Sequence, residues 1–115
     1  MILHLTPVEH YNSFAPDAPY LPSDFEKDGF IHCTTGSELL LTVANTYYRA
    51  SPGEFQVLII DEDIIASPVK WELSGSILFP HIYGPLNRDA IIAVVAIQRT
   101  PDGEFTGYER PLDEL

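Results

Sequence analysis

Three histidines in this chain each stand beside a hydroxyl-bearing side chain: His4 near Thr6, His32 near Thr34 and His81 near Tyr83. Imidazole is the side chain best suited to taking up and releasing a proton near neutral pH, and a neighbouring hydroxyl can orient a sugar or an amide. If the three rings converge, they predict a histidine-lined cleft for a polar or anionic small molecule. Their spacing matches no compact metal-binding pattern, so no metal site is assigned. The single Cys33 is a weak candidate nucleophile, because strand alternation turns it away from His32 and into the core.

The segment Gly29-Phe30-Ile31-His32-Cys33-Thr34-Thr35 is the centre of this reading. Ser23 and Glu26 have capping-box spacing, and Gly29 falls where a left-handed residue would stop one helical turn. Phe30 to Thr34 then reads as a short strand, with His32 and Cys33 on opposite faces. Thr35 to Glu38 repeats the capping-box spacing and predicts a helix from Gly36 to about Arg49, along which Leu39, Leu40, Val43, Ala44 and Tyr47 form one apolar stripe. Thr34 and Thr35 would thus lie beside a helix N-terminus, where backbone N–H groups favour an anion. A bland alternative stands beside this: histidines that merely satisfy buried polar groups.

The remaining elements follow from pattern. Ile2 to Leu5 is a short strand, and Thr6-Pro7-Val8-Glu9 predicts a capped helix to about Phe14. Ala15 to Pro22 is a proline-rich ordered loop anchored by Tyr20 and Leu21. Phe55 to Ile60 reads as a strand buried on both faces. Asp61 to Ile65 is an acidic turn or short helix, and Val69 to Leu73 a strand that alternates Lys70 and Glu72 with Val69, Trp71 and Leu73. The prolines and glycine of Phe79 to Leu86 argue against a regular interior strand over that whole length, although His81 and Tyr83 share a face if it is extended. Ile91 to Gln98 is a central strand, followed by an acidic tail from Phe105 with Tyr108 as a dock. The sum is an α+β domain, with a mixed or split sheet, one main helix and short helices, spanning 1–115 as a single domain.

Composition sets outer limits. The 115 residues carry 17 Asp and Glu against 6 Lys and Arg, a formal net charge of −11. Such a chain lacks the clustered cations that neutralise phosphates, so nucleic acid is not expected as a partner. No apolar run reaches the ~20 residues of a membrane span. The N-terminal residues lack a basic, then apolar, leader, and one cysteine forms no internal disulfide, so the expected location is cytoplasmic.

Taken together, His4 in its strand, the His32 segment, Val57-Leu58-Ile59-Ile60-Asp61, Trp71-Glu72 and Phe79-Pro80-His81-Ile82-Tyr83-Gly84-Pro85-Leu86 resemble the bacterial "domain of unknown function 952" family, over nearly the whole chain. That resemblance implies a fold similar to ADP-ribosyltransferases. RNA 2′-phosphotransferases, which share that fold and consume NAD, carry similar motifs in the same order. Leu3-His4-Leu5-Thr6, Gly29 to Thr34, and Leu58-Ile59-Ile60-Asp61 would be their counterparts. By that resemblance His4 and His32 face a nucleotide cleft, with His4 near an adenosine ribose, and Trp71 and Glu72 become candidate ligand-binding residues. None of Arg49, Arg88, Arg99 or Arg110 adjoins these motifs, and the late catalytic glutamate has no clear counterpart unless Glu72 turns to the cleft. Two functions stay open: an NAD- or nucleotide-using transferase or hydrolase with His4, His32 and His81 in catalysis, and a non-catalytic module that binds a nucleotide-like molecule or another partner.

Overall fold

The computed structural model describes residues 1–109. Two antiparallel sheets, split as expected but with no parallel pair among the described strands, curl into a half-barrel beside one main helix. The larger sheet has the order β1-β3-β6-β7 and comprises Ile2–Pro7 (β1), Phe55–Ile60 (β3), Ile91–Arg99 (β6) and Phe105–Tyr108 (β7). The smaller has the order β2-β5-β4 and comprises Ile31–His32 (β2), Ile77–Ile82 (β5) and Val69–Ser74 (β4).

β3 is apolar but for Gln56 because it is covered on both faces. Phe55, Val57 and Ile59 pack with Leu3, Leu5, Phe105 and the main helix Ser37–Tyr47 (α3), whose Leu40 and Ala44 are buried. Leu58 and Ile60 point the other way. They meet Ile31, Cys33 and Ile82 from the smaller sheet, together with Tyr20 and Leu86. Two cores therefore share one strand. A reciprocal pair of backbone bonds between Leu3 and Thr34, each 2.8 Å, ties the sheets together.

Several boundaries differ from the sequence reading. β1 continues through Thr6 to Pro7, and the first helix (α1) is only Val8–Asn12, with Pro7 at its cap and no side-chain cap bond. Pairing with β3 over the full six residues holds Thr6 extended, which outweighs its capping tendency. The turn Phe25–Asp28 (α2) does stop at Gly29, whose φ of 81° a side chain would disfavour. The strand around His32 shrinks to Ile31–His32, and α3 starts without a side-chain cap. Phe105–Tyr108 is a strand against β6 rather than a tail; of the acidic residues beyond it, Glu109 is exposed, and Asp113 and Glu114 lie outside those described.

β5 runs as an interior strand through Pro80 but ends at Ile82, so Phe79 to Leu86 is not one regular strand over its whole length, as expected. The Tyr83 N–H donates to the Pro68 carbonyl, so bonded pairs between β4 and β5 fall at Lys70–His81, Glu72–Phe79 and Ser74–Ile77. Pro80 sits opposite Trp71 at a pair that needs no bond from it. On its other side its carbonyl accepts from Cys33, just past the end of β2. The missing donor therefore faces Cys33, and the proline costs only the return bond of that pair at the end of the short strand.

Candidate functional site

The β2–β5 register places His32 directly opposite His81 on the outer face of the smaller sheet. Their rings lie 5.4 Å apart in an edge-on arrangement. His32 owes its exposure to alternation, since Ile31 and Cys33 on either side are buried in the core. The expected opposition of His32 and Cys33 is therefore present, and burial pushes the Cys33 thiol well above its ordinary range.

Each imidazole is held by a carboxylate. His32 Nε2 donates to Asp28 Oδ2 at 2.9 Å, from the last residue of α2. His81 Nδ1 donates to Glu72 Oε1 at 2.8 Å, across from the next strand. Among the described residues His32 Nδ1 and His81 Nε2 make no hydrogen bond to protein. A carboxylate on one ring nitrogen fixes the tautomer and leaves a lone pair on the other. The Tyr83 hydroxyl donates to the same Glu72 oxygen at 2.5 Å. That bond, followed by the one from His81, holds the Glu72 carboxyl below its usual range, while the carboxylate raises the Tyr83 hydroxyl above its own.

An aromatic and a cation complete the face. The Phe30 ring stacks on His81 at 4.1 Å and 23°, leaving the His81 side chain 12% exposed against 58% for His32. Lys70 Nζ lies 4.8 Å from the centre of the Tyr83 ring. Asp28, Phe30 and Lys70 were not among the expected site residues, although the sequence pattern puts Phe30 on the face of His32 and Lys70 on that of Glu72. Asp28 could have been found from its position four residues before His32 across a single tight turn, and Lys70 from its alternation with Trp71.

His4 is placed differently from the expected cleft position. It is 6% exposed, its Nδ1 donates to the His32 carbonyl at 2.6 Å, and its Nε2 lies 3.0 Å from the Tyr20 hydroxyl. That hydroxyl also bonds Thr6 Oγ1 at 2.8 Å. The loop carrying Tyr20 folds over this face of β1, so a position that alternation marks as outward becomes enclosed. Burial lowers the His4 pKa to about 4, although the His32 carbonyl pulls the other way. His4 touches the backbone of the histidine pair, not its open face.

Thr34 is also buried, its backbone spent on Leu3 and its hydroxyl without a hydrogen-bond partner; Thr35 is half-buried. Trp71 lies on the opposite face of β4 from Glu72, and its indole N–H donates to Glu62 at 2.8 Å. The structure thus brings together His32, His81, Tyr83 and Glu72, and leaves His4, Thr34 and Trp71 off that face. α3 packs on the far side of the larger sheet, against Leu3 and Val57. Among the described residues no three His, Cys, Asp or Glu side chains gather for a metal ion. A separate groove of about 720 Å³ lies near Arg49, Gly53, Arg99 and Gly103. Arg99 spends its N–H groups there on the carbonyls of Tyr48, Arg49, Gly53 and Gly103, which makes it a clamp between loops rather than a ligand-binding group.

Residues 5–94 match the family described as "Protein of unknown function (DUF952)". The chain belongs to this family. No curated protein matches it in sequence. The crystal structure of protein CC0527 from Caulobacter crescentus is similar to it, with a TM-score of 0.79 at 22% identity over 91% of this chain and 92% of that one. The solution structure of CC0527 gives a TM-score of 0.70, also at 22% identity, over 99% and 95% of the two chains. At that identity the likeness shows a fold shared between the DUF952 chain and CC0527, and no activity. Among the described residues no helix is long and apolar enough to cross a membrane.

Proposed function

We propose that the outer face of the smaller sheet binds a nucleotide-like small molecule and that His32 and His81 exchange protons with it, as in a transferase or hydrolase. The observation that carries this reading is the cross-strand histidine pair in which a carboxylate holds one nitrogen of each ring. Fixing the tautomer in this way prepares the other nitrogen to act as a base, and to act as an acid once it is protonated. Glu72 holds both His81 and Tyr83, so it positions the imidazole and the phenol that would meet a ribose hydroxyl or an amide. His4 supports the pair from behind through the His32 carbonyl.

The resemblance to ADP-ribosyltransferases suggests NAD as the molecule to try first. The donor set suits its ribose and carboxamide better than its pyrophosphate, since Lys70 is the cation beside these groups. The described arginines are engaged elsewhere: Arg49 with Asp102, Arg88 with the carbonyls of Ala15 and Ala18, and Arg99 as above. That observation favours a second reading, in which the face binds without turning over. Calorimetric titration with NAD, ADP-ribose, AMP and nicotinamide tests both readings, with chromatography of the NAD sample for released nicotinamide. Binding by one of them that falls at least tenfold in both folded variants, His32→Ala and His81→Ala, is expected. Release of nicotinamide separates the enzyme from the binding module. Absence of binding by all four, or equal binding by the variants, overturns the site.

A further inference from the structure

We propose that the chain forms a twofold dimer through the free edge of β4, which joins the smaller sheets of two copies into one. β4 is the terminal strand of its sheet, and its bonded pairs with β5 use the backbone groups of Lys70, Glu72 and Ser74. The N–H and C=O groups of Val69, Trp71 and Leu73 are consequently directed away from β5. An edge of this kind is a template for another strand unless it is covered, bulged or charged on the exposed side. Here one face of the edge carries a charge of each sign, Lys70 and Glu72, and the other carries side chains that solvent does not favour, with Trp71 43% and Leu73 70% exposed.

The sequence of the edge complements itself. An antiparallel partner centred on Trp71 sets Val69 opposite the partner's Leu73, Trp71 opposite the partner's Trp71, and Lys70 opposite the partner's Glu72. The first two are pairs whose free backbone groups face each other, so each can exchange N–H···O=C bonds in both directions. The third is a pair of opposite charges on the outer face, occurring twice by symmetry. Any other centre on this strand sets Lys70 opposite an uncharged residue or another lysine. A pairing with the same surface on both copies also closes after two chains, so it does not propagate into fibres.

The dimer adds to the histidine face without depending on its proposed function. Glu72, which holds His81 and Tyr83, gains the ammonium of the partner's Lys70 from the neighbouring strand. Two histidine faces then lie on one continuous sheet. The net charge of −11 on each copy opposes association, so salt near physiological strength, which screens charges beyond ~8 Å, is the condition in which to look.

Sedimentation velocity over a concentration series tests the wild type and the charge variants Lys70→Glu and Glu72→Lys. The wild type is expected to dimerise, and each single variant to dissociate roughly tenfold more readily because like charges replace opposite ones. Mixing the two single variants should restore assembly as a heterodimer, since acidic residues on one edge then face lysines on the other. The mixture also controls for folding, as a misfolded variant cannot be rescued by its complement. A wild type that stays monomeric throughout, a dimer indifferent to the single changes, or variants that do not pair on mixing each overturns the proposal. None of these results depends on a ligand, so the dimer and the binding site fail separately.

Discussion

The enclosed His4 should make the protein sensitive to mild acid in a way that one substitution removes. In the folded chain its pKa is lowered from 6.5 to about 4, chiefly by burial. Between those values the unfolded chain binds a proton there that the folded chain does not, so stability falls as pH drops through this window. At 1.36 kcal/mol per pKa unit the full loss is about 3 kcal/mol, reached below pH ~4, and about 2 kcal/mol of it is present at pH 5. Above pH 6.5 both states are neutral at this site and the contribution is constant. Gln at position 4 offers an amide N–H and an oxygen within similar reach and does not titrate, so other acid-sensitive groups cancel when the two proteins are compared. Urea unfolding of wild type and His4→Gln at pH 8 and pH 5 should show the wild type losing about 2 kcal/mol more than the variant between the two. Equal losses would refute the reasoning. A proton NMR titration of the His4 ring in the wild type gives an independent check, and a midpoint near 6.5 would sink the idea even if the variant did not fold.

Other consequences are simpler to state. Cys33 is buried, and its thiol is raised by burial, so native labelling by a thiol reagent should be slow and should become fast in denaturant; rapid native labelling would contradict its position in the core. Tyr20→Phe should cost about 1–3 kcal/mol, because it leaves His4 Nε2 and the Thr6 hydroxyl buried without their shared partner. A change of only a few tenths would mean that this hydroxyl is dispensable. The acidic balance predicts no binding to a generic oligonucleotide at moderate salt, by fluorescence anisotropy, and micromolar affinity there would overturn that expectation.

The parts of the fold governed by local pattern were legible. β3 reads as doubly buried because no polar residue but Gln56 interrupts it, and the opposed faces of His32 and Cys33 follow from alternation alone. What could not be read depends on partners distant in sequence. His4 and His32 look alike in the chain, each on a short strand with apolar neighbours and a threonine two residues on. They differ because Tyr20 folds over one, while the other, flanked by Phe30, stays largely exposed. The prolines and glycine of Phe79 to Leu86 argued against one regular strand over that whole length, and β5 does end at Ile82. Its passage through Pro80 depends on a register that sets Pro80 opposite Trp71, at a pair needing no bond from it, and confines the lost bond to Cys33, past the end of β2. The carboxylate partners also needed the structure, since Glu72 reaches His81 only through the β4–β5 pairing.

The two-residue strand β2 explains why a buried histidine and an exposed one belong to the same device. So short a strand has little ladder of its own to fix the backbone that carries His32. It is held instead from both sheets. β5 pairs with it through Ile82 and His81, the Leu3–Thr34 bonds secure its exit, and His4 grips the His32 carbonyl from the larger sheet. The cross-strand placement of the His32 ring opposite His81 depends on that backbone staying in place. The enclosed His4 supplies part of that restraint through its Nδ1–H, with Tyr20, whose hydroxyl donates to Thr6, closing over its other nitrogen. The geometry of the pair therefore depends on the junction between the sheets as much as on the face that carries it.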